Sequence, residues 1–304
     1  MSTTRVVVGL GPVDPALVVP YLPNDAEFVA DPTPADLARA EGAIVRAAYD
    51  IDAAALGRMP RLRVVARTGV GVERVDLAAT GERGVVVAVT PGSNSRAVAE
   101  GAFAMLTALV KRLPASHVCV TSGAWEAGEI PTPGDLHGTT LAVLGYGRIG
   151  RIIAGYGDAF GMRVVVHDPY VLAEEYQNVT LAEAVQLADA LTLHLPGGGG
   201  ELLPIELLRT ARPGLVLVNC ARADLVSTET LQLALAEELL GGVGLDVFAQ
   251  EPVAGHPLGG DARVLLSPHT SGLSRGATAA TFRMAAEAVA AVFSGGVPLS
   301  VVSA

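Results

Sequence analysis

Three glycines and one acid in the middle of the chain have the types and spacing to hold a dinucleotide. Gly145, Gly147 and Gly150 follow an apolar run, Leu141 to Leu144, and lead into helical spacing from Arg151 to Phe160. A second apolar run, Met162 to Val166, ends in His167, Asp168 and Pro169. In a strand, turn, helix, strand unit the first glycine makes the tight turn. The second lets the backbone approach a pyrophosphate, and the third lets helix pack on strand. Arg148, Ile149 and the free N–H groups of the helix start then face the phosphates. Asp168 is expected to accept hydrogen bonds from the adenosine ribose hydroxyls and to repel a 2′-phosphate, which favours NAD over NADP. Further along, Arg222, Glu251 and His269 form a second set. Hydride transfer to a 2-oxo acid needs a cation that holds the carboxylate and polarises the carbonyl. It also needs a proton donor for the oxygen and a group that keeps that donor charged. The arginine, the histidine and the glutamate can fill these roles in that order.

Such residues need elements that bring them to one place, and the chain alternates strand-like and helix-like segments throughout. Short β-branched runs at Arg5 to Gly9, Glu27 to Ala30, Ala43 to Arg46, Leu62 to Arg67 and Val85 to Val89 form a first array. A long helix is expected from Ala97 to Lys111, then an irregular stretch from 114 to 138 that contains Trp125. A second array follows, with strands near 141, 163, 190, 215, 243 and 264, and a last helix from Gly276 to Phe293 that returns to the first array. This alternation means parallel sheets, and the expected class is α/β with two doubly wound domains. Ligands of such sheets sit at the carboxyl ends of strands. His194, Pro196, Ala221, Arg222, Asp246, Glu251 and His269 all fall there in the second array, as do Arg67, Val70, Gly71 and Asn94 in the first. Two other glycine clusters lack the full context. Gly9 and Gly11 are followed by Pro12, and Gly69 and Gly71 have no third glycine in register.

Bulk properties exclude several classes. The net charge of -10 argues against a nucleic-acid surface. No uncharged apolar stretch approaches the roughly 20 residues of a membrane span. The first residues run straight into Val6 to Val8 without the pattern of a signal peptide. Cys119 and Cys220 show no metal-ligand spacing, so the expectation is a reduced, cytoplasmic protein without a metal site.

Taken in order, these motifs resemble the D-specific 2-hydroxyacid dehydrogenase family from about residue 43 to residue 302. Ala66 to Val72 is similar to the family's substrate loop, and Thr90 to Asn94 with Val98 to Glu100 to its crossing between domains. Gly145 to Gly150 with Asp168 and Pro169 is similar to its cofactor motif. The resemblance implies a Rossmann NAD-binding domain, residues 96–275, inserted into a flavodoxin-like substrate domain, residues 1–95 and 276–304. It implies that NAD and a small 2-oxo or 2-hydroxy acid react there. The backbone amides of Val70 and Gly71 would bind the substrate carboxylate and Asp246 the nicotinamide carboxamide. Arg222, Glu251 and His269 would be catalytic. His194 reads equally as a structural histidine or a cofactor contact, Arg67 as a substrate ligand or an ion-pair partner, and Asn94 as a helix brace or a direct contact. The long helix and Trp125 would pack in a homodimer. Three departures stand out. Ala223 replaces the glycine usual after the arginine, Gly197 to Gly200 replace a Thr-Pro-rich loop, and Glu73-Arg74 replace an Asp-Asn pair. Alternatives within the resemblance are an NAD-sensing corepressor and a phosphite- or formate-type dehydrogenase. The phosphite enzymes carry a lysine at the place of Val70.

Overall fold

In the strand Thr140–Leu144, Leu141 and Val143 join one buried apolar layer while Ala142 and Leu144 join another. A strand that is apolar on both faces must be covered on both, which is the rule for parallel sheets. The computed structural model, which describes residues 4–46 and 48–302, shows this arrangement twice. The expected leaderless start at Met1 to Thr3 lies outside the described residues.

Two compact units are present: Met1–Asn94 with Leu273–Ala304, and Ser95–Gly272. The first contains β1 (Arg5–Leu10), β2 (Ala26–Val29), β3 (Ala40–Val45), β4 (Val64–Arg67) and β5 (Val86–Ala88). The second contains β6 (Thr140–Leu144), β7 (Arg163–His167), β8 (Gln177–Asn178), β9 (Ala190–Leu193), β10 (Leu215–Asn219), β11 (Leu240–Leu245) and β12 (Val264–Leu266). The chain then returns to the first unit for β13 (Val301–Val302).

In the first unit the strand order is β2-β1-β3-β4-β5-β13, the flavodoxin-like order with one strand added. The added strand is antiparallel, Val301 opposite Ala88, so this sheet is not parallel throughout as expected. A two-residue strand after a proline-containing tail carries no periodicity by which a sequence could announce it. The Arg275–Phe293 helix covers one face of this sheet through Phe282, Ala285, Ala286 and Val289 against Val7, Ile44 and Val64.

The second unit has the order β8-β7-β6-β9-β10-β11-β12, the Rossmann order with a seventh strand. Six strands are expected from the sequence; the additional one is β8, a two-residue polar edge strand paired to Val165 and Val166. One face is covered by the Ser95–Val110 and Arg148–Ala159 helices through Ala102, Leu106 and Ile153. The other is covered through Val185, Leu208 and Leu231. A second correction concerns residues 114 to 138, whose first part is a helix, Leu113–Ser122. Pro114 falls at its N-terminal turn, where a proline starts a helix rather than breaking one, and Gly123 ends it with φ of 80°. Among the described residues no single helix is long and apolar enough to cross a membrane, and none of the His, Cys, Asp and Glu side chains group to hold a metal.

Candidate active site

All the chemistry-bearing residues of the second unit lie just past the carboxyl ends of its parallel strands. β6 runs into Gly145, β7 into Asp168, β9 into His194, β10 into Arg222, β11 into Asp246 and β12 into His269. The register keeps the first three level: Leu144 is opposite both His167 and Leu193, Gly145 N–H donates to the His167 carbonyl at 2.8 Å, and His194 N–H donates to the Leu144 carbonyl at 2.7 Å.

The glycine turn fits a pyrophosphate. Gly145 has φ of 99°, and a Cβ there would press on the backbone of His194 and Leu195. A Cβ on Gly150 would overlap the Gly145 carbonyl oxygen, whereas the space above Gly147 is open. Gly147 caps the Arg148–Ala159 helix without a side-chain hydrogen bond, so the first helical N–H groups remain available to an anion. Asp168 is held by three backbone donors: Tyr146 at 2.7 Å, Tyr170 at 2.8 Å and Val171 at 3.0 Å. A carboxylate offers about four lone-pair directions, so about one remains for a ribose hydroxyl. Pro169 and Pro196 stand beside these groups in the chain, Pro169 exposed at the end of the second strand's turn. The His194 ring contacts Thr192 Oγ1 through Nε2 at 2.9 Å, while Nδ1 is buried without a protein partner. Burial pushes this imidazole down to about 3, which keeps it neutral at physiological pH.

On the other half of the sheet, His269 Nδ1 lies 2.8 Å from Glu251 Oε2. A carboxylate and a ring nitrogen at that distance share a hydrogen, so Nδ1 donates and Nε2 is left to exchange a proton with a ligand. The other Glu251 oxygen accepts the Phe248 N–H at 3.0 Å. His269 has φ of 55°, an uncommon backbone conformation for a non-glycine residue and one that must be held by its surroundings. Asp246 supplies that hold. It is 2 % exposed, and its two oxygens accept the N–H groups of Thr270 and Ser271 at 2.9 and 3.0 Å. A depression of about 360 Å³ beside the pair is lined by Phe248, Glu251, Pro252, His256, Leu266 and His269.

Arg222 is half-buried in extended backbone, φ −143°, after a turn built by Asn219. Asn219 Oδ1 accepts the Ala221 N–H at 3.0 Å and its Nδ2 donates to the Arg222 carbonyl at 2.8 Å. Ala223 opens a short 3₁₀ turn and is not at positive φ, so the alanine in place of glycine imposes no strain. Asn219 is visible in the sequence as a strand-end Asx residue, but its role as the brace of Arg222 needs the fold.

In the first unit, Arg67 is 4 % exposed and braces its own loop, donating to the carbonyls of Gly71 at 3.2 Å and Arg46 at 2.8 Å. Burial lowers its guanidinium below the usual value. These contacts give it a loop-building role that neither sequence reading contains. Val70 is exposed, Gly71 is half-buried with Glu73 filling the space a Cβ would take, and Asn94 sits one residue ahead of the Ser95–Val110 helix.

Residues 103–271 match the family described as D-isomer specific 2-hydroxyacid dehydrogenase, NAD binding domain. The D-3-phosphoglycerate dehydrogenase of Mycobacterium tuberculosis is 36% identical over 241 residues, 76% of this chain and 45% of the relative. The chain thus spans about half the length of the curated relatives it matches. Among solved structures, a protein of Thermus thermophilus is 34% identical with a TM-score of 0.87 over 98% of this chain and 99% of that one. The NADPH-dependent glyoxylate/hydroxypyruvate reductase of Sinorhizobium meliloti is 27% identical with a TM-score of 0.87 over 98% and 97%. The fold and the glycine turn define a Rossmann-type nucleotide-binding protein. The chain belongs to the D-isomer-specific 2-hydroxyacid dehydrogenase family, and NAD is the cofactor of its matched domain.

Proposed function

We propose that the protein interconverts a small 2-oxo acid and its D-2-hydroxy acid with NADH and NAD. The observation that carries this reading is the 2.8 Å contact between His269 and Glu251, at the strand ends of a domain that matches the family's NAD-binding domain. Bound at the Gly145–Gly150 turn, NAD supplies the hydride acceptor and NADH the donor. The guanidinium of Arg222 holds the carboxylate and polarises the carbonyl with its planar pair of donors. His269 gives its Nε2 proton to the carbonyl oxygen during reduction and takes it back during oxidation, while Glu251 holds Nδ1–H. Asp246 fixes the backbone that carries His269 and contacts the nicotinamide carboxamide. His194 and Ala221 line the cofactor on this reading. Within the first unit, the N–H groups of Val70 and Gly71 are the candidate carboxylate contacts, and Asn94 is a candidate for substrate contact or for bracing the helix start. The test is consumption of NADH against a panel of 2-oxo acids. NADH binding without turnover of any of them would favour a corepressor-like role instead.

Asp168 decides between the two nicotinamide cofactors. A 2′-phosphate would meet a carboxylate already fixed by three backbone donors and unable to swing away. NADH should therefore give the higher kcat/KM by about 10–100-fold, the worth of one hydrogen bond to a charged group. Steady-state constants for both cofactors check this, and equal or better constants with NADPH would sink it.

The protein is a homodimer on the same reading. Val118, Val120, Trp125 and Ile130, on and after the Leu113–Ser122 helix, are each more than half exposed. Four large apolar side chains left exposed within one short segment support a contact surface there. Light scattering at micromolar concentration should give twice the chain mass; a monomer that retains full activity would refute the assignment.

A further inference from the structure

The Gly197 to Gly200 loop, a departure from the family pattern, meets the segment that begins at Arg222. The Gly198 N–H donates to Asp224 Oδ2 at 2.5 Å. Gly198 and Gly200 have φ of 90° and 85°, which side chains rarely adopt. A Cβ on Gly197 would overlap Asp224 Oδ1 and come within 3.0 Å of Cβ and Cγ of Arg222. The loop therefore lies directly on the stem of Arg222, with no room for a side chain between them. Its far end is tied to the same segment. Glu201 Oε1 accepts the Ser227 N–H at 2.7 Å, and the N–H groups of Leu202 and Leu203 both donate to the Leu225 carbonyl, at 2.9 and 3.1 Å.

We propose that Asp224 is a positioning residue: its carboxylate clamps the Gly197–Gly200 loop onto the Arg222–Ser227 segment and so fixes the stem of Arg222. This rests on the reading of Arg222 as the cation that takes the substrate carboxylate. Four consecutive glycines are the most mobile backbone a chain can offer, and ordering them has a large entropic cost. A charge-assisted hydrogen bond at the tip, with anchors at Glu201 and Leu202, offsets that cost. If the loop moves, the Arg222 stem gains room, and substrate binding must then order it each time. The effect belongs in substrate affinity more than in the chemical step, because His269 is held separately by Glu251 and Asp246.

The experiment has two arms. Amide hydrogen exchange on the free protein compares wild type, Asp224→Ala and Asp224→Asn. In Asp224→Ala the 197–203 segment should exchange about fivefold faster, the loss of one charge-assisted hydrogen bond weakened by its exposure to solvent, with Asp224→Asn between because it keeps an acceptor oxygen. Steady-state kinetics should show KM for the 2-oxo acid raised about tenfold, the effect of ordering one long side chain on binding, with kcat changed much less and NADH affinity unchanged. Gly197→Ala, which displaces Asp224, should raise KM similarly and add less in the Asp224→Ala background. Unchanged exchange in Asp224→Ala overturns the clamp whatever the enzyme turns over. Faster exchange with unchanged KM overturns the link to Arg222. A wild type that reduces no 2-oxo acid removes the proposed function and that link together, and the exchange arm still decides the clamp.

Discussion

Glu251→Gln should lower kcat for 2-oxo acid reduction by about 10²–10³-fold and leave NADH affinity unchanged. The carboxylate accepts at both ends, from His269 Nδ1 at 2.8 Å and from the Phe248 N–H at 3.0 Å. A glutamine amide has the same shape but only one acceptor oxygen, with two donors on the other side. Either the Phe248 N–H or the Nδ1 hydrogen must then face an NH₂ group, so one contact breaks. If the ring contact breaks, His269 loses the partner that fixes which nitrogen carries the hydrogen. In a buried triad the equivalent change costs about 10⁴-fold. Here the His269 and Glu251 side chains are 57% and 36% exposed, and water can replace part of the lost contact, hence the smaller figure. Single-turnover rates with saturating NADH check the effect. A kcat within about threefold of wild type, well below the ordinary yield of general acid catalysis, would remove Glu251 from the proton pathway.

Arg222→Lys should cost about 2–4 kcal/mol of transition-state stabilisation, the range for a preorganised donor at a developing charge. That corresponds to a fall of about 30–1,000-fold in kcat/KM. Lysine keeps the charge and loses the planar fork that, in the proposed function, grips carboxylate and carbonyl together. It also loses the donor that Arg222 Nη1 gives to the Ala221 carbonyl at 2.8 Å, so the new ammonium is less well aimed. The Asn219 turn does not depend on this side chain and should keep its shape. NADH titration by fluorescence should give the wild-type dissociation constant, which separates the loss from misfolding. Near-normal turnover would exclude Arg222 from substrate activation.

The position of these two residues past the ends of strands is what the sequence allows to be read. Arg222, Glu251 and His269 are legible because each follows a strand, and parallel strands deliver their carboxyl ends to one edge of a sheet. The glycine turn is legible for a stronger reason. Its strand, turn and helix are adjacent in the chain, so the spacing of Gly145, Gly147 and Gly150 encodes the local backbone path directly. The helix at Leu113–Ser122 is not legible, because Pro114 reads as a breaker unless the helix start is known. The strands β8 and β13 are not legible either, because two residues cannot show a period.

The α/β class, the two arrays and the nucleotide motif can thus be read from the chain alone, since they rest on local spacing and strand order, and the family is reached through the resemblance of its motifs. What holds the candidate residues in place becomes apparent only in the folded molecule. Asp246 reaches Thr270 and Ser271 across 24 and 25 positions, and Asp224 reaches Gly198 across 26. Arg67 turns inward to the carbonyls of Gly71 and Arg46 and builds its own loop. Each of these is a polar side chain satisfying backbone groups brought near it by packing. Buried N–H and C=O groups must find partners, and which side chain serves them depends on the assembled fold rather than on any periodicity along the chain.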